Sequence, residues 1–148
     1  MSIRNASCLC GDIKLEIRGD PIASNLCHCV SCQKYTASVF GWFSVYKTEQ
    51  VTFTESEPSV LKTYKDGSPE SGEILTRSFC GKCGSPVSSQ PLSVPEIIVV
   101  PVGIVDGDKT TFKPQAELYC QGRADWVPTI EGAKTFERMP PKPAPVTN

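Results

Sequence analysis

At 148 residues and 16.1 kDa, with 39% hydrophobic and 21% charged residues, the chain is sized for one domain with a packed core, which excludes wholesale disorder. Fifteen basic against sixteen acidic side chains leave a formal charge of −1, which argues against a nucleic-acid backbone or an anionic membrane as the main partner. No apolar run approaches the roughly 18–20 residues that cross a bilayer, and the stretch Met1-Ser-Ile-Arg-Asn-Ala lacks a signal-peptide core, so a cytoplasmic location is expected.

In chain order, residues 12–17 alternate strictly and place Ile13, Leu15 and Ile17 on one face of a strand. A helical turn is expected over 31–35. Residues 38–46, aromatic and β-branched, read as a strand, followed by a short one at 51–54. Strands at 60–64 and 74–79 flank a polar, glycine-containing loop at 65–73, the pattern of a long hairpin connection. Residues 97–102 are buried-type, with Pro101 pushing that strand toward an edge or a bulge. One more strand is expected at 115–119. No window carries a 3.6-residue stripe, and the proline-rich tail at 140–148 reads as an extended, flexible end to a domain spanning 1–139. The fold class is mainly β.

Eight cysteines and a single His dominate the chemistry. In a reducing compartment clustered thiols usually hold a metal. Seven of the eight fall into three groups: Cys8-Leu-Cys10-Gly11, Cys27-His28-Cys29-Val-Ser-Cys32 and Cys80-Gly-Lys-Cys83-Gly84. Each glycine that follows a second cysteine permits a positive φ, so that backbone N–H groups turn toward the thiolates. Together the first and third groups supply Cys8, Cys10, Cys80 and Cys83, a closed four-thiolate set of the structural zinc type. Spacing alone leaves other pairings of the groups open.

The middle group offers three thiolates, Cys27, Cys29 and Cys32, within six positions. Three protein ligands leave a fourth position open, the mark of a catalytic or exchangeable zinc. Such a thiolate-rich ion suits an incoming thiol better than it activates water. His28 is a candidate for proton transfer or for a supporting hydrogen bond. Alternatives stand beside this reading: Cys120 as a fourth ligand that closes the site, or a metal-free redox set. The aromatics Phe40, Trp42, Phe43 and Tyr46 read as sheet packing, and Lys34 and Arg123 as surface charges unless they flank the open position.

The order and spacing of Cys8-x-Cys10-Gly11, Cys27-His28-Cys29-x-x-Cys32-Gln33-Lys34 and Phe79-Cys80-Gly81-x-Cys83-Gly84-Ser85-Pro86 resemble the glutathione-dependent formaldehyde-activating enzyme family, which includes centromere protein V. The resemblance runs from about residue 6 to residue 140. It implies a single domain of zinc-pinned β-sheets of the Mss4-like (β-tent) type. It also implies two zincs per chain: a structural one on Cys8, Cys10, Cys80 and Cys83, and a functional one on Cys27, Cys29 and Cys32 that glutathione approaches. The implied activity is a carbon–sulfur lyase reaction run in reverse, joining glutathione as co-substrate to formaldehyde, with His28 or a metal-bound water as proton donor. The stretch from Pro114 to Trp126 keeps the family's Trp but lacks its His; Glu117 and an extra thiol, Cys120, stand there instead. An isomerase or epimerase step on the same scaffold, or a zinc-stabilised binding module, are the competing readings, although the chain has no basic stripe or tail that would serve a chromatin partner.

Overall fold

The computed structural model describes residues 1–140; the proline-rich tail assigned from sequence lies, from residue 141 onward, outside the described residues. Two β-sheets face each other across one core. In the smaller sheet, β2 (Ile13–Arg18) is central, with β1 (Ile3–Ser7) and β5 (Val51–Glu55) antiparallel on either side. As the alternation predicts, Ile13, Leu15 and Ile17 are buried.

The larger sheet has eight strands. It is built from β3 (Ala23–Cys27), β4 (Gly41–Lys47), β6 (Leu61–Asp66), β7 (Leu75–Cys80), β8 (Pro86–Pro91), β9 (Ile97–Pro101), β10 (Ala116–Leu118) and β11 (Lys134–Thr135), in the order β11-β10-β3-β4-β9-β8-β7-β6. The helix α1 (Val30–Thr36) connects β3 to β4 and extends the helical turn expected at 31–35 by a residue at each end. Among the described residues, no helix is long and apolar enough to cross a membrane.

The apolar face of β2 packs with Tyr46 of β4, Val87 of β8, Ile98 and Val100 of β9, and Val102 and Phe112 from the loops that follow. Burying an aliphatic side chain contributes about 1.5–3 kcal/mol, so this shared layer carries much of the stability.

Several expectations need correction. The strand at 97–102 is neither an edge nor bulged: β9 runs between β4 and β8, and Pro101 takes the last pairing position, opposite Phe43, where no further ladder bond is required of it. The segment at 38–46 becomes regular only at Gly41, because Ala37 ends α1 in a left-handed conformation and the chain must first turn back. Strands 3–7, 23–27, 86–91 and 134–135 were not anticipated. Their sequences are polar or bracketed by prolines, and long-range pairing supplies what local pattern does not. The parallel alignment of β10 with β3, for instance, sets Leu118 opposite Cys27.

Two cysteine-bearing turns join the sheets. Cys8 and Cys10 lie in the β1–β2 turn, and Cys80 and Cys83 at the β7–β8 turn. Gly11 (φ 81°) and Gly84 (φ 75°) take the left-handed conformation that closes each turn. All four sulfurs lie within 4.8 Å of one another. Cys10 Sγ is 3.5 Å from Cys8 Sγ and 3.7 Å from Cys80 Sγ, near the ~3.8 Å edge of a tetrahedron of thiolates about 2.3 Å from a central zinc. The Ile13 amide donates to Cys8 Sγ at 3.3 Å, as expected around a metal-binding turn. The donor set therefore fits a closed four-thiolate zinc. Because structural zinc binding supplies about 10 kcal/mol of folding free energy, Cys80→Ser is expected to abolish cooperative thermal unfolding by circular dichroism. An unchanged melting temperature and zinc content would refute the structural role.

Candidate active site

β3 ends at Cys27, Cys29 caps the N-terminus of α1, and Cys32 lies in its first turn. The Cys32 amide donates to Cys29 Sγ at 3.3 Å, in place of the usual oxygen cap. All three cysteines are buried, and their sulfurs lie within 4.8 Å of one another. Three thiols this close share their protons. Hydrogen bonds from Cys27 and Cys32 hold Cys29 down at about 2, and the hydrogen bond with Cys29 pushes Cys27 far up. Ionising all three requires a cation, and three soft donors converging without a fourth suit a zinc ion with one exchangeable position. Cys120 does not close the set. Its thiol donates to the Glu117 carbonyl at 3.4 Å and accepts from Arg123 Nη2, also at 3.4 Å.

A buried polar network fixes the loop that carries the thiols. His28 is fully buried, and its Nε2 donates to Glu117 Oε1 at 3.2 Å, with Phe40 packed edge-on against the ring. Glu117, equally buried, also receives Arg123 Nη1 at 2.8 Å and the Ile130 amide at 3.0 Å. Burial alone would raise the Glu117 carboxyl, but these donors outweigh it and hold the group below its ordinary value. Arg123 is therefore not the surface charge its sequence context suggests, whereas Lys34 is exposed as expected. Gly122 belongs to the same arrangement: a Cβ there would stand 2.6 Å from the His28 carbonyl oxygen, so only glycine fits without a shift. Trp126 is exposed.

On the other side of the thiols stands Arg77 of β7, almost fully buried. Its Nε donates to Asp66 Oδ2 at 3.1 Å, Nη1 to Ser89 Oγ at 3.0 Å and Nη2 to Ser31 Oγ at 2.8 Å, and the guanidinium lies 4.6 Å from the centre of the Tyr35 ring. Its charge favours the ionised forms of Cys29 and Cys32. Sequence reasoning missed Arg77 and Asp66. The available signal was an arginine within the otherwise uncharged strand Leu75–Cys80, running directly into a cysteine turn.

A cavity of about 490 Å³ opens beside the three cysteines and is lined by all of them, with Arg77, Phe43, Val99, Leu118 and Tyr119 among its walls. His28, the sequence candidate for proton transfer, does not line it. Tyr119 does; it packs in one cluster with the three cysteines and takes a left-handed backbone conformation (φ 55°), uncommon for a non-glycine residue.

The profile of the glutathione-dependent formaldehyde-activating enzymes matches residues 3–122. The chain belongs to this family. Its members act on glutathione and aldehydes, which places this chain broadly among enzymes that handle thiol adducts. The fold also matches a crystal structure of a Rhodobacter sphaeroides protein, at 20% identity and a TM-score of 0.56, over 72% of this chain and 92% of that one. No curated protein sequence matches the chain.

The Asp66–Arg77 pair generates a prediction for acid stability. Burial would raise the Asp66 carboxyl, but hydrogen bonds from Ser68, Ser31 and Arg77 hold it well below the usual carboxylate range. A depressed folded-state value contributes stability that is fully present above the unfolded value of about 4 and is lost as pH falls below it. Arg77→Met leaves Asp66 buried without its cation. Urea denaturation at pH 7 should show a loss of about 3 kcal/mol. The further loss on acidification below about pH 4 should be smaller than in the wild type, because Asp66 without its cation takes up its proton in the folded state at higher pH. An unchanged acid profile would contradict the pairing.

Proposed function

We propose that the chain is a carbon–sulfur lyase-type enzyme that forms and breaks adducts between a thiol and a small aldehyde at Cys27, Cys29 and Cys32. The observation that carries this reading is the three-sulfur cluster lining a cavity, without a fourth cysteine to close it. In this reading Cys27, Cys29 and Cys32 would hold a zinc ion, which would supply Lewis acidity and lower the pKa of a thiol brought to it.

The chain's own residues do the rest. The cavity walls orient the thiol and exclude water, and the Arg77 guanidinium offsets the negative charge gathered around Cys29 and Cys32. The thiol gives its proton to solvent as it enters, its sulfur attacks the carbonyl carbon, and the carbonyl π pair moves to oxygen, which takes up a proton; an S–H and a C=O π bond are exchanged for a C–S and an O–H bond. One C–S bond forms and no oxidant or reductant is consumed. Tyr119 is the proton donor in this reading: its phenol lines the cavity beside the cysteines, and burial raises its pKa further, so it stays protonated at neutral pH. His28, engaged with Glu117, serves instead to hold the Cys27–Cys29 loop in place. The competing reading as a binding module draws no support from a cavity lined by buried thiols.

Exchange between ¹³C-formaldehyde and its thiol adduct, followed by NMR exchange spectroscopy with zinc-loaded protein, tests the proposal. The wild type should accelerate exchange above the uncatalysed rate. Tyr119→Phe should lower that acceleration about a hundredfold while leaving the unfolding transition in place. Wild-type exchange at the solution rate would refute the activity, and full activity of Tyr119→Phe would refute the role of the phenol.

A further inference from the structure

The walls of the cavity are at odds with a substrate as charged as glutathione, which carries two carboxylates and an ammonium group besides its thiol. Phe43, Val45, Leu75, Val99, Leu118 and Met139 provide a largely apolar surface, to which prolines, Val94 and Ile97 add. Among the described residues that line the cavity, Arg77 is the single lysine or arginine. It is already committed, through Nε, Nη1 and Nη2, to Asp66, Ser89 and Ser31, and Asp66 balances its charge. Glu70 borders the cavity and accepts from Gln121 Nε2 at 3.2 Å, a neutral donor that leaves its charge in place. Three thiolates around one divalent ion add a further net negative charge. A peptide carboxylate entering here would lose water without gaining a matching cation among the described lining residues. An apolar group would exchange water for aliphatic and aromatic walls, in a volume of about 490 Å³ that lies within the ~300–1,000 Å³ range of small-molecule sites.

We propose that this site selects a thiol, or its aldehyde adduct, whose body is an aromatic or branched aliphatic group, in preference to glutathione. The inference rests on the reading of Cys27, Cys29 and Cys32 as a metal site with a position open to thiols, and it goes further by naming the substrate class. Selectivity resides in the chain's own walls, with Val99 and Leu118 flanking the cysteines in the same packed cluster and Glu70 discriminating against carboxylates at the border.

The test uses protein in which cobalt(II) replaces zinc, because the visible absorption of a cobalt–thiolate centre changes when another thiol joins it. Benzyl mercaptan, 2-mercaptoethanol and glutathione are titrated separately, and their affinities are compared after correction for the ionisation of each free thiol. The expected result is that benzyl mercaptan perturbs the spectrum and binds at least tenfold tighter than 2-mercaptoethanol or glutathione. Glutathione binding as tightly as benzyl mercaptan would overturn the selectivity while leaving the open thiol site standing. So would benzyl mercaptan binding no better than 2-mercaptoethanol, since the walls would then contribute nothing. If none of the three thiols changes the spectrum, the open thiol site itself fails, and the inference fails with it.

Discussion

The architecture hangs on the meeting of two cysteine-bearing turns, one from each sheet. Cys8 and Cys10 come from the small sheet and Cys80 and Cys83 from the large one, and their sulfurs converge to the spacing of a tetrahedral thiolate site. Thiolates at this spacing repel one another unless a cation sits among them, so the junction is cohesive only when the donor set is satisfied. Beyond that junction, a shared apolar layer and a bridge between Ala6 and Val105 hold the two sheets together. β7, which runs into Cys80, also carries Arg77. The junction that fixes the β7–β8 turn therefore also fixes the cation beside the second cluster.

That second cluster sits between two buried charge arrangements with different work to do. Glu117, His28 and Arg123 bind the Cys27–Cys29 loop to β10 from behind, and the only histidine in the chain is buried within that arrangement. Arg77 and Asp66, backed by Ser31 and Ser89, stand on the cavity side and bring positive charge near the thiolates without leaving an unpaired ion. Buried ion pairs are weak sources of net stability and effective sources of fixed geometry when every donor has a partner. The region between these networks is where the chain concentrates buried thiols, a phenol and apolar walls, the combination expected of a site that excludes water from a polar reaction.

How much of this the sequence made legible depended on the range of the interaction involved. The period-two pattern of Ile13, Leu15 and Ile17 and the glycines after Cys10 and Cys83 are local signals, and each led to the right strand or turn. Cysteine spacing, read with the family resemblance, names the same two groups of cysteines whose sulfurs converge in the structure. The rest depended on contacts distant in sequence. Nothing near His28 announces Glu117, 89 positions away, as its partner. The sequence Pro-Val-Ser-Ser-Gln-Pro reads as a loop, yet it forms β8 because β7 and β9 pair with it on both sides. The cavity walls come from several separate strands and loops, so their apolar character was invisible to any window along the chain.

The central claim is that this domain carries one closed and one open thiolate metal site. X-ray absorption at the zinc edge, combined with metal analysis of protein purified without chelator, tests it most directly. The account predicts two zinc ions per chain and an average coordination between three and four sulfurs per zinc, the remainder being a light-atom ligand that an added thiol replaces with sulfur. One zinc per chain with a purely four-sulfur shell, unchanged by thiol, would contradict the account.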